Sequence, residues 1–555
     1  GAYLGAVEAK PFSLPNPGGG ADLLEGATFT LQRGRRYGLI GRNGSGKSTL
    51  LRSLASRQLG DIPAALTIHY VSQEVRLDEA AMQRTPLEVV LAADVERSLL
   101  LSEAASLQEA EASDAARLAE VLERLDLIGA DAAEQRALAL LRNLGFSAEL
   151  RARPMAALSG GWRVRTCLAA AIFAKPDVLM LDEPTNHLSI GAVLWLMREL
   201  TTSPAWSERI VVVVSHDRVF LDAVATDVLH LSAAARRLTQ SHGNYATWAK
   251  RREQQQKTFE RATALRAEQV AKLKTYANHG FKYGGSDVSR QKMKERQAEK
   301  LEAAQAELED EAAALQEDHE LPLSLQSGGE ISGPLVQLRG VAFGYSAAGE
   351  QLFSGAELGV DATSRIVLLG ENGNGKTTLV KLLLGDLAPT AGEVVRNGGA
   401  RIGLVNQHHA DQIDLTLTPL QFLMDRFPGD GSYAHEQALR SHLATCGVLE
   451  KQQAVPSSAL SGGQRSRVAL AAVSYAAPHV LVLDEPTNNL DLESIAALAD
   501  CVTAFKGGVV LVSHDQYFVS RVANEVWVVE GGQVKRAASF DAFRKQQLTK
   551  LQPVD

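Results

Sequence analysis

Apolar residues along the chain gather into short continuous runs. Tyr37-Gly-Leu-Ile40, Val178-Leu-Met-Leu181 and Ile210-Val-Val-Val-Val214 recur later as Ile366-Val-Leu-Leu369, Val480-Leu-Val-Leu483 and Val509-Val-Leu-Val512. Runs of this length are predicted to be strands covered on both faces, as in a parallel sheet flanked by helices. A leucine-rich helical run follows the first member of each series, at Leu50-Leu51 and Leu379-Val380. The pattern predicts an α/β fold, built twice.

Two stretches have helical composition instead. Residues 91–142 are rich in Ala, Leu, Glu and Arg, and 243–333 carry Ala, Glu, Gln, Lys and Leu on both sides of a glycine-containing tip at 278–287. The second stretch is predicted to be two long helices joined by a basic tip, too ordered in composition for a passive linker. Expected boundaries are a Gly/Pro-rich lead-in at 1–21 with room for one edge strand, a first domain at 22–242 and a linker at 243–333. A second domain at 334–545 and a tail at 546–555 complete the chain. The phosphate-loop motifs described below lie 329 residues apart, whereas the downstream motifs lie 302 apart. The first copy therefore carries 27 more residues between them, placed in the helical arm at 91–142.

Composition narrows the function classes. At 555 residues the chain exceeds one core, and a formal charge of −8 excludes a uniformly basic nucleic-acid coat. Residues 250–300 nevertheless hold 14 Lys/Arg against 6 Asp/Glu, a local basic patch, and 301–320 hold 8 acids. Cys167, Cys446 and Cys501 form no C-x-x-C pair, which fits a reducing compartment and argues against a zinc or iron–sulfur site. No apolar run approaches the ~18 residues of a membrane span. The sequence starts at Gly1 without methionine, so an upstream or targeting segment is expected to precede it.

Chemistry enters with Gly41-Arg-Asn-Gly-Ser-Gly-Lys-Ser-Thr49 and Gly370-Glu-Asn-Gly-Asn-Gly-Lys-Thr-Thr378. Both fit G-x-x-x-x-G-K-[ST] between a strand and a helix, the context in which glycines turn backbone N–H groups onto phosphates. The expected ATP-binding residues are Gly41, Asn43, Gly44, Gly46, Lys47, Ser48 and Thr49, then Gly370, Asn372, Gly373, Gly375, Lys376, Thr377 and Thr378. Lys47 and Lys376 would reach the β- and γ-phosphates, and Ser48 and Thr377 would hold Mg²⁺. Asp182-Glu183 and Asp484-Glu485 end apolar strands. The aspartates would support the metal through water, and Glu183 and Glu485 would orient the attacking water. His216 and His514, 34 and 30 residues after those aspartates, would contact the γ-phosphate and that water. Gln73 and Gln407 are expected in the metal and water shell from their position. Ser159, Gly160 and Gly161, with Ser461, Gly462 and Gly463, open helical runs as a second phosphate-binding device. Tyr345 is an expected adenine stack, for which the first copy offers Phe12 at best.

Phosphate loop, Gln, Leu-Ser-Gly-Gly, Leu-Asp-Glu-Pro-Thr-Asn and Ser-His-Asp, in that order and twice, resemble the nucleotide-binding domains of the ATP-binding cassette superfamily. The doubled domain, Pro-Thr-Asn-His/Asn-Leu and a charged helical linker resemble its F subfamily of ribosome-associated translation factors. Strings such as "DEPTNHL" and "KLLLGDLAP" are similar to the eukaryotic branch linked to general amino-acid control. The resemblance implies an ATPase with two P-loop cassettes joined by a helical hairpin, with each Ser-Gly-Gly segment completing the opposite phosphate loop. Ser461 and Gly463 would serve Lys47, and Ser159 and Gly161 would serve Lys376. It further implies a cytoplasmic, monomeric factor that clamps the ribosome with ATP bound and leaves on hydrolysis. Its linker would touch ribosomal and transfer RNA through Lys272, Lys274, Lys282, Arg290, Lys292, Lys294 and Arg296, and an upstream segment would engage a translational-control protein. One departure stands out: Ser189 follows Asn-His-Leu where the family has aspartate and the second copy has Asp491, so unequal sites are expected. A regulatory scaffold that binds ATP more than it turns it over stays open as a rival reading. So does a DNA-repair ATPase of the same superfamily, although such proteins carry zinc modules or much longer insertions.

Overall fold

The computed structural model describes residues 6–551 apart from 60–61, 64, 74–76, 110–114, 187, 234, 280–322, 330, 346–350, 407–411 and 489, with 109 and 266–279 described by backbone alone. Each half contains a six-stranded sheet. In the first, the order across the sheet is Ile68–Val71, Val178–Asp182, Ile210–Val214, Arg36–Ile40, Asp227–Ser232 and Arg237–His242. In the second it is Ile402–Val405, Val480–Asp484, Gly508–Val512, Arg365–Leu369, Glu525–Glu530 and Gln533–Ala537. Five strands run parallel and the last pairs antiparallel in both. The central strands are buried along their whole length, which is why their sequences read as unbroken apolar runs.

An antiparallel layer covers each sheet. Ala6–Leu14 pairs with Leu24–Gln32 in the first half, so the Gly/Pro-rich lead-in does contain a strand. In the second half Val336–Phe343 lies between Phe353–Val360 and Ala391–Arg396. The region 91–142 forms the helices Val95–Glu109, Ala115–Leu127 and Ala133–Asn143. Ala104, Val121, Leu125 and Ala130 make a small core of their own there, which lets the arm stand apart from the sheet. The helix Tyr245–His279 leaves the first half as the start of the linker.

Several contacts join the halves. Ile190 and Leu194, on helix Ile190–Thr202 of the first half, are buried in a cluster otherwise made by the second half, with Leu490, Phe518 and Phe543. Helix Phe540–Lys550 runs through the boundary drawn at 545 and lies against Ile190–Thr202, while Leu551 packs on the core of the first half. Arg218 Nη2 donates to the Leu492 carbonyl across the same junction at 2.5 Å.

Candidate functional site

Each phosphate loop turns between a buried strand and a helix, Lys47–Ala55 or Lys376–Leu384. Gly41 has φ 156° and Gly370 φ 149°, and a Cβ at either would lie 2.5 Å from the Leu231 carbonyl or 2.4 Å from that of Val529. No side chain fits there, so both glycines are fixed by backbone-to-backbone approach. Lys47 is buried and its Nζ donates to the carbonyls of Gly41 at 2.7 Å and Arg42 at 2.9 Å. Lys376 repeats this with Gly370 at 2.7 Å and Glu371 at 3.1 Å. Burial lowers the pKa of both ammonium groups, opposed by Glu183 and Asp491 for Lys47 and by Glu485 and Glu371 for Lys376.

The acidic pairs sit at the ends of Val178–Asp182 and Val480–Asp484 as expected, with a detail no pattern announced. Glu183 and Glu485 have φ 52° and 51°, left-handed backbone that a non-glycine residue adopts at a cost of about 1–3 kcal/mol. The turn is held because the N–H of each glutamate donates to the neighbouring strand, Glu183 to Val214 O at 2.9 Å and Glu485 to Val512 O at 2.7 Å. The side chain is thereby aimed back at the histidine after that strand. His216 N donates to Glu183 Oε2 at 3.1 Å, and His216 Nε2 lies 3.1 Å from Oε1. His514 Nε2 lies 3.3 Å from Glu485 Oε1. Burial raises the Glu183 carboxyl to about 7, against the pull of Lys47, and Glu485 to about 8, against that of Lys376. Burial lowers His216 to about 3, so its imidazole is neutral at pH 7.

Beside Lys47, a cavity of about 360 Å³ is lined by Asn43, Gly44, Gly46, Ser48, Thr49, Gln73, Asp182, Glu183 and His216, with Asn16, Pro17 and Leu23 at its outer wall. Phe12 stands outside this lining and packs edge-on against Phe29 at 5.8 Å, so among the described residues no aromatic side chain lines this cavity as Tyr345 lines the one in the second half. Beside Lys376 a cavity of about 450 Å³ draws on both halves: Tyr345, Asn372, Gly373, Gly375, Thr377, Thr378, Asp484, Glu485 and His514 face Thr185, Asn186, His216 and Asp217. Tyr345 is 71% exposed and its hydroxyl is 2.8 Å from Thr378 Oγ1. Gln407 lies outside the described residues, as do Lys282, Arg290, Lys292, Lys294 and Arg296; Lys272 and Lys274 fall on the backbone of helix Tyr245–His279.

The Ser-Gly-Gly segments behave unequally. A third cavity, about 270 Å³, joins Arg42 and Asn43 of the first half to Ser461, Gly463, Gln464, Asp491 and Glu493 of the second. Ser461 caps helix Gly462–Tyr475 in a reciprocal box with Gln464. Ser159, which opens helix Gly160–Ala174, makes no side-chain cap bond, and Trp162, standing where Gln464 does, has no oxygen to accept from the Ser159 N–H in return. Ser159 and Gly160 are exposed, and the wall of the Lys376 cavity is built from 185–186 and 216–217 rather than from Ser159 or Gly161. What the first-half segment brings to the second phosphate loop is Arg165, beneath Trp162 at 4.2 Å and close to Glu371.

Sequence reasoning missed Tyr70, whose hydroxyl donates to Asp182 Oδ2 at 3.0 Å. Its place in Ile68-His-Tyr-Val-Ser-Gln73, three residues before Gln73, was the available signal. In the second half the equivalent aspartate, Asp484, accepts from Thr377 instead. Hydroxyl, carboxylate and amide oxygens at Ser48, Gln73 and Asp182, and at Thr377 and Asp484, are the hard donors a magnesium ion takes.

Residues 24–186 and 353–488 match the family model described as ABC transporter. ATP-binding cassette sub-family F member 3 of Mus musculus is 40% identical over 531 residues, 94% of this chain and 71% of the relative. ABC transporter F family member 3 of Arabidopsis thaliana is 38% identical over 536 residues, 93% of this chain and 72% of the relative. Among solved structures, archaeal ribosome recycling factor aABCE1, in its complex with the ribosomal stalk protein aP1, superposes with a TM-score of 0.59 at 18% identity. That match covers 95% of this chain and 90% of that one. A structure titled RNase-L Inhibitor gives 0.56 at 18% identity, covering 94% and 89%. Among the described residues no helix is long and apolar enough to cross a membrane. The chain belongs to the ATP-binding cassette family and, within it, to the F subfamily of twin-cassette ATPases.

Proposed function

We propose that this chain is a cytoplasmic, ribosome-binding ATPase of translation whose halves close on ATP and part after hydrolysis. The observation that carries the reading is the mixed parentage of its cavities. Lys376, Thr377 and Glu485 face Thr185, Asn186 and His216 across the junction, and Asn43 faces Ser461 and Gly463. A triphosphate seated on either loop meets donors from both halves, so its γ-phosphate favours the closed arrangement and its loss releases it. Support for the ribosome comes from the relatives, since the archaeal factor of similar fold is a ribosome recycling factor crystallised with a stalk protein. The basic linker around 250–300 is the surface proposed to face transfer and ribosomal RNA.

In each site the glutamate accepts the proton of the attacking water while the histidine, 3.1 Å or 3.3 Å from its Oε1, fixes its orientation. Lys47 and Lys376 exchange their loop carbonyls for phosphate oxygens. Ser48 and Gln73, and Thr377 with Gln407, would hold Mg²⁺, with Asp182 and Asp484 supporting it through water, and the ion would supply charge neutralisation on the phosphates. Replacing both Glu183 and Glu485 by Gln keeps the shape and removes the base, so turnover is expected to fall by roughly 10² to 10³ while ATP-dependent binding persists. Sedimentation of the double variant with ribosomes, with and without ATP, tests this. Retention on ribosomes that ignores both nucleotide and substitution overturns it.

A further inference from the structure

The residue after the first glycine of each phosphate loop differs in sign: Arg42 in one, Glu371 in the other. The facing half differs to match. Arg42 lies 3.6 Å from Glu493 and shares a cavity with Asp491, whose carboxylate caps helix Leu492–Ala504 by accepting from Ser494 N at 2.9 Å. Glu371 instead meets Ser189, the cap of helix Ile190–Thr202, with Ser189 Oγ 3.5 Å from Glu371 Oε1. The other carboxylate oxygen lies 3.0 Å from where a Cβ of Gly145 would stand, a position that is also 3.4 Å from Arg165 Nη1. Arg165 is 2% exposed, and burial lowers its pKa to about 10 against the opposing pull of Glu371. A carboxylate from one half thus stands against a hydroxyl at a helix N-terminus of the other, with a buried guanidinium near enough to act on it through its charge.

We propose that Glu371 is a positioning residue of the second site, coupling its phosphate loop to the first half through Ser189 and Arg165, and that serine at 189 is what allows the contact. Aspartate caps a helix as well as serine does, and Asp491 shows that it fits the equivalent place. An aspartate at 189, however, would set two carboxylates against each other. The inference rests on ATP-driven closure, so it is tested in the Glu183→Gln/Glu485→Gln background, where nucleotide is not consumed.

Dyes placed one on each half report closure against MgATP concentration. Ser189→Asp is expected to raise the half-saturating ATP about six- to tenfold, the factor for two unit charges at 3–4 Å in a water-like dielectric. Adding Glu371→Gln is expected to bring it back to within about twofold of the starting value, a rescue that a purely structural role of Ser189 as a cap would not produce. Matching far-ultraviolet circular dichroism and thermal transitions confirm that the variants are folded. An unchanged half-saturation in Ser189→Asp, or a shift that Glu371→Gln fails to reverse, overturns the assignment while leaving the clamp standing. A background protein that does not close with ATP at all overturns the clamp and this coupling together.

Discussion

Both sites should gain activity as pH rises through neutrality. Glu183 and Glu485 act as bases only when ionised, and burial places their carboxyl groups at about 7 and about 8. Both are raised acids, so the active form is gained as pH rises through these values. The perturbation is a pair of single substitutions, Glu485→Gln to leave the first site and Glu183→Gln to leave the second. Between pH 6 and 8 the ionised fraction rises about tenfold for a group at 7 and about fiftyfold for one at 8, and kcat/KM reports those free-enzyme groups. ATP has its own titration, which both variants share. Dividing each kcat/KM by the MgATP association constant of the Glu183→Gln/Glu485→Gln protein at the same pH removes it, and each quotient should rise about tenfold or more from pH 6 to pH 8. Steady-state phosphate release at sub-saturating MgATP, at constant ionic strength, measures kcat/KM. A quotient that stays flat in both variants across this range, or falls, refutes the assignment of these carboxylates as bases tuned by burial.

Three further outcomes follow from the packing. Phe543→Ala empties a buried aromatic position in the cluster shared by the halves and should cost about 3–5 kcal/mol, read by denaturant unfolding and by faster proteolysis near 540–551. Gly370→Ala drives a Cβ to 2.4 Å from the Val529 carbonyl at a positive φ, so binding of a fluorescent ATP analogue at the second site should be lost while the first site, isolated by comparison with Gly41→Ala, retains it. Neutralising the seven basic linker residues should flatten the salt dependence of RNA binding by roughly 0.7–0.9 log units per log unit of salt for each phosphate contact removed, and an unaltered slope in a filter-binding series would place the RNA elsewhere.

The sheets were legible because their central strands are covered on both faces, so Ile210–Val214 and Val480–Asp484 had no polar alternation to confuse. The phosphate loops were legible for a similar reason: backbone crowding at Gly41 and Gly370 admits one residue type. What stayed hidden is what one half does to the other. Ile190 and Leu194 fall within the first domain by sequence, and nothing local says that they complete the second half's core. Phe540–Lys550 looked like the end of a domain and a tail because its partner surface lies some 350 residues earlier. The inequality of Ser159 and Ser461 includes the loss of the returned capping bond where Trp162 replaces Gln464, a difference that the shared Ser-Gly-Gly pattern conceals. The positive φ of Glu183 and Glu485 was invisible because Asp-Glu-Pro permits it without requiring it.

The docking of Phe540–Lys550 on Ile190–Thr202 also sets an order of events during synthesis. The first half emerges from the ribosome with Ile190 and Leu194 uncovered, and they stay so while several hundred more residues are made. A chaperone that recognises exposed aliphatic side chains therefore has a window on the nascent chain that shuts when residues 540–551 arrive.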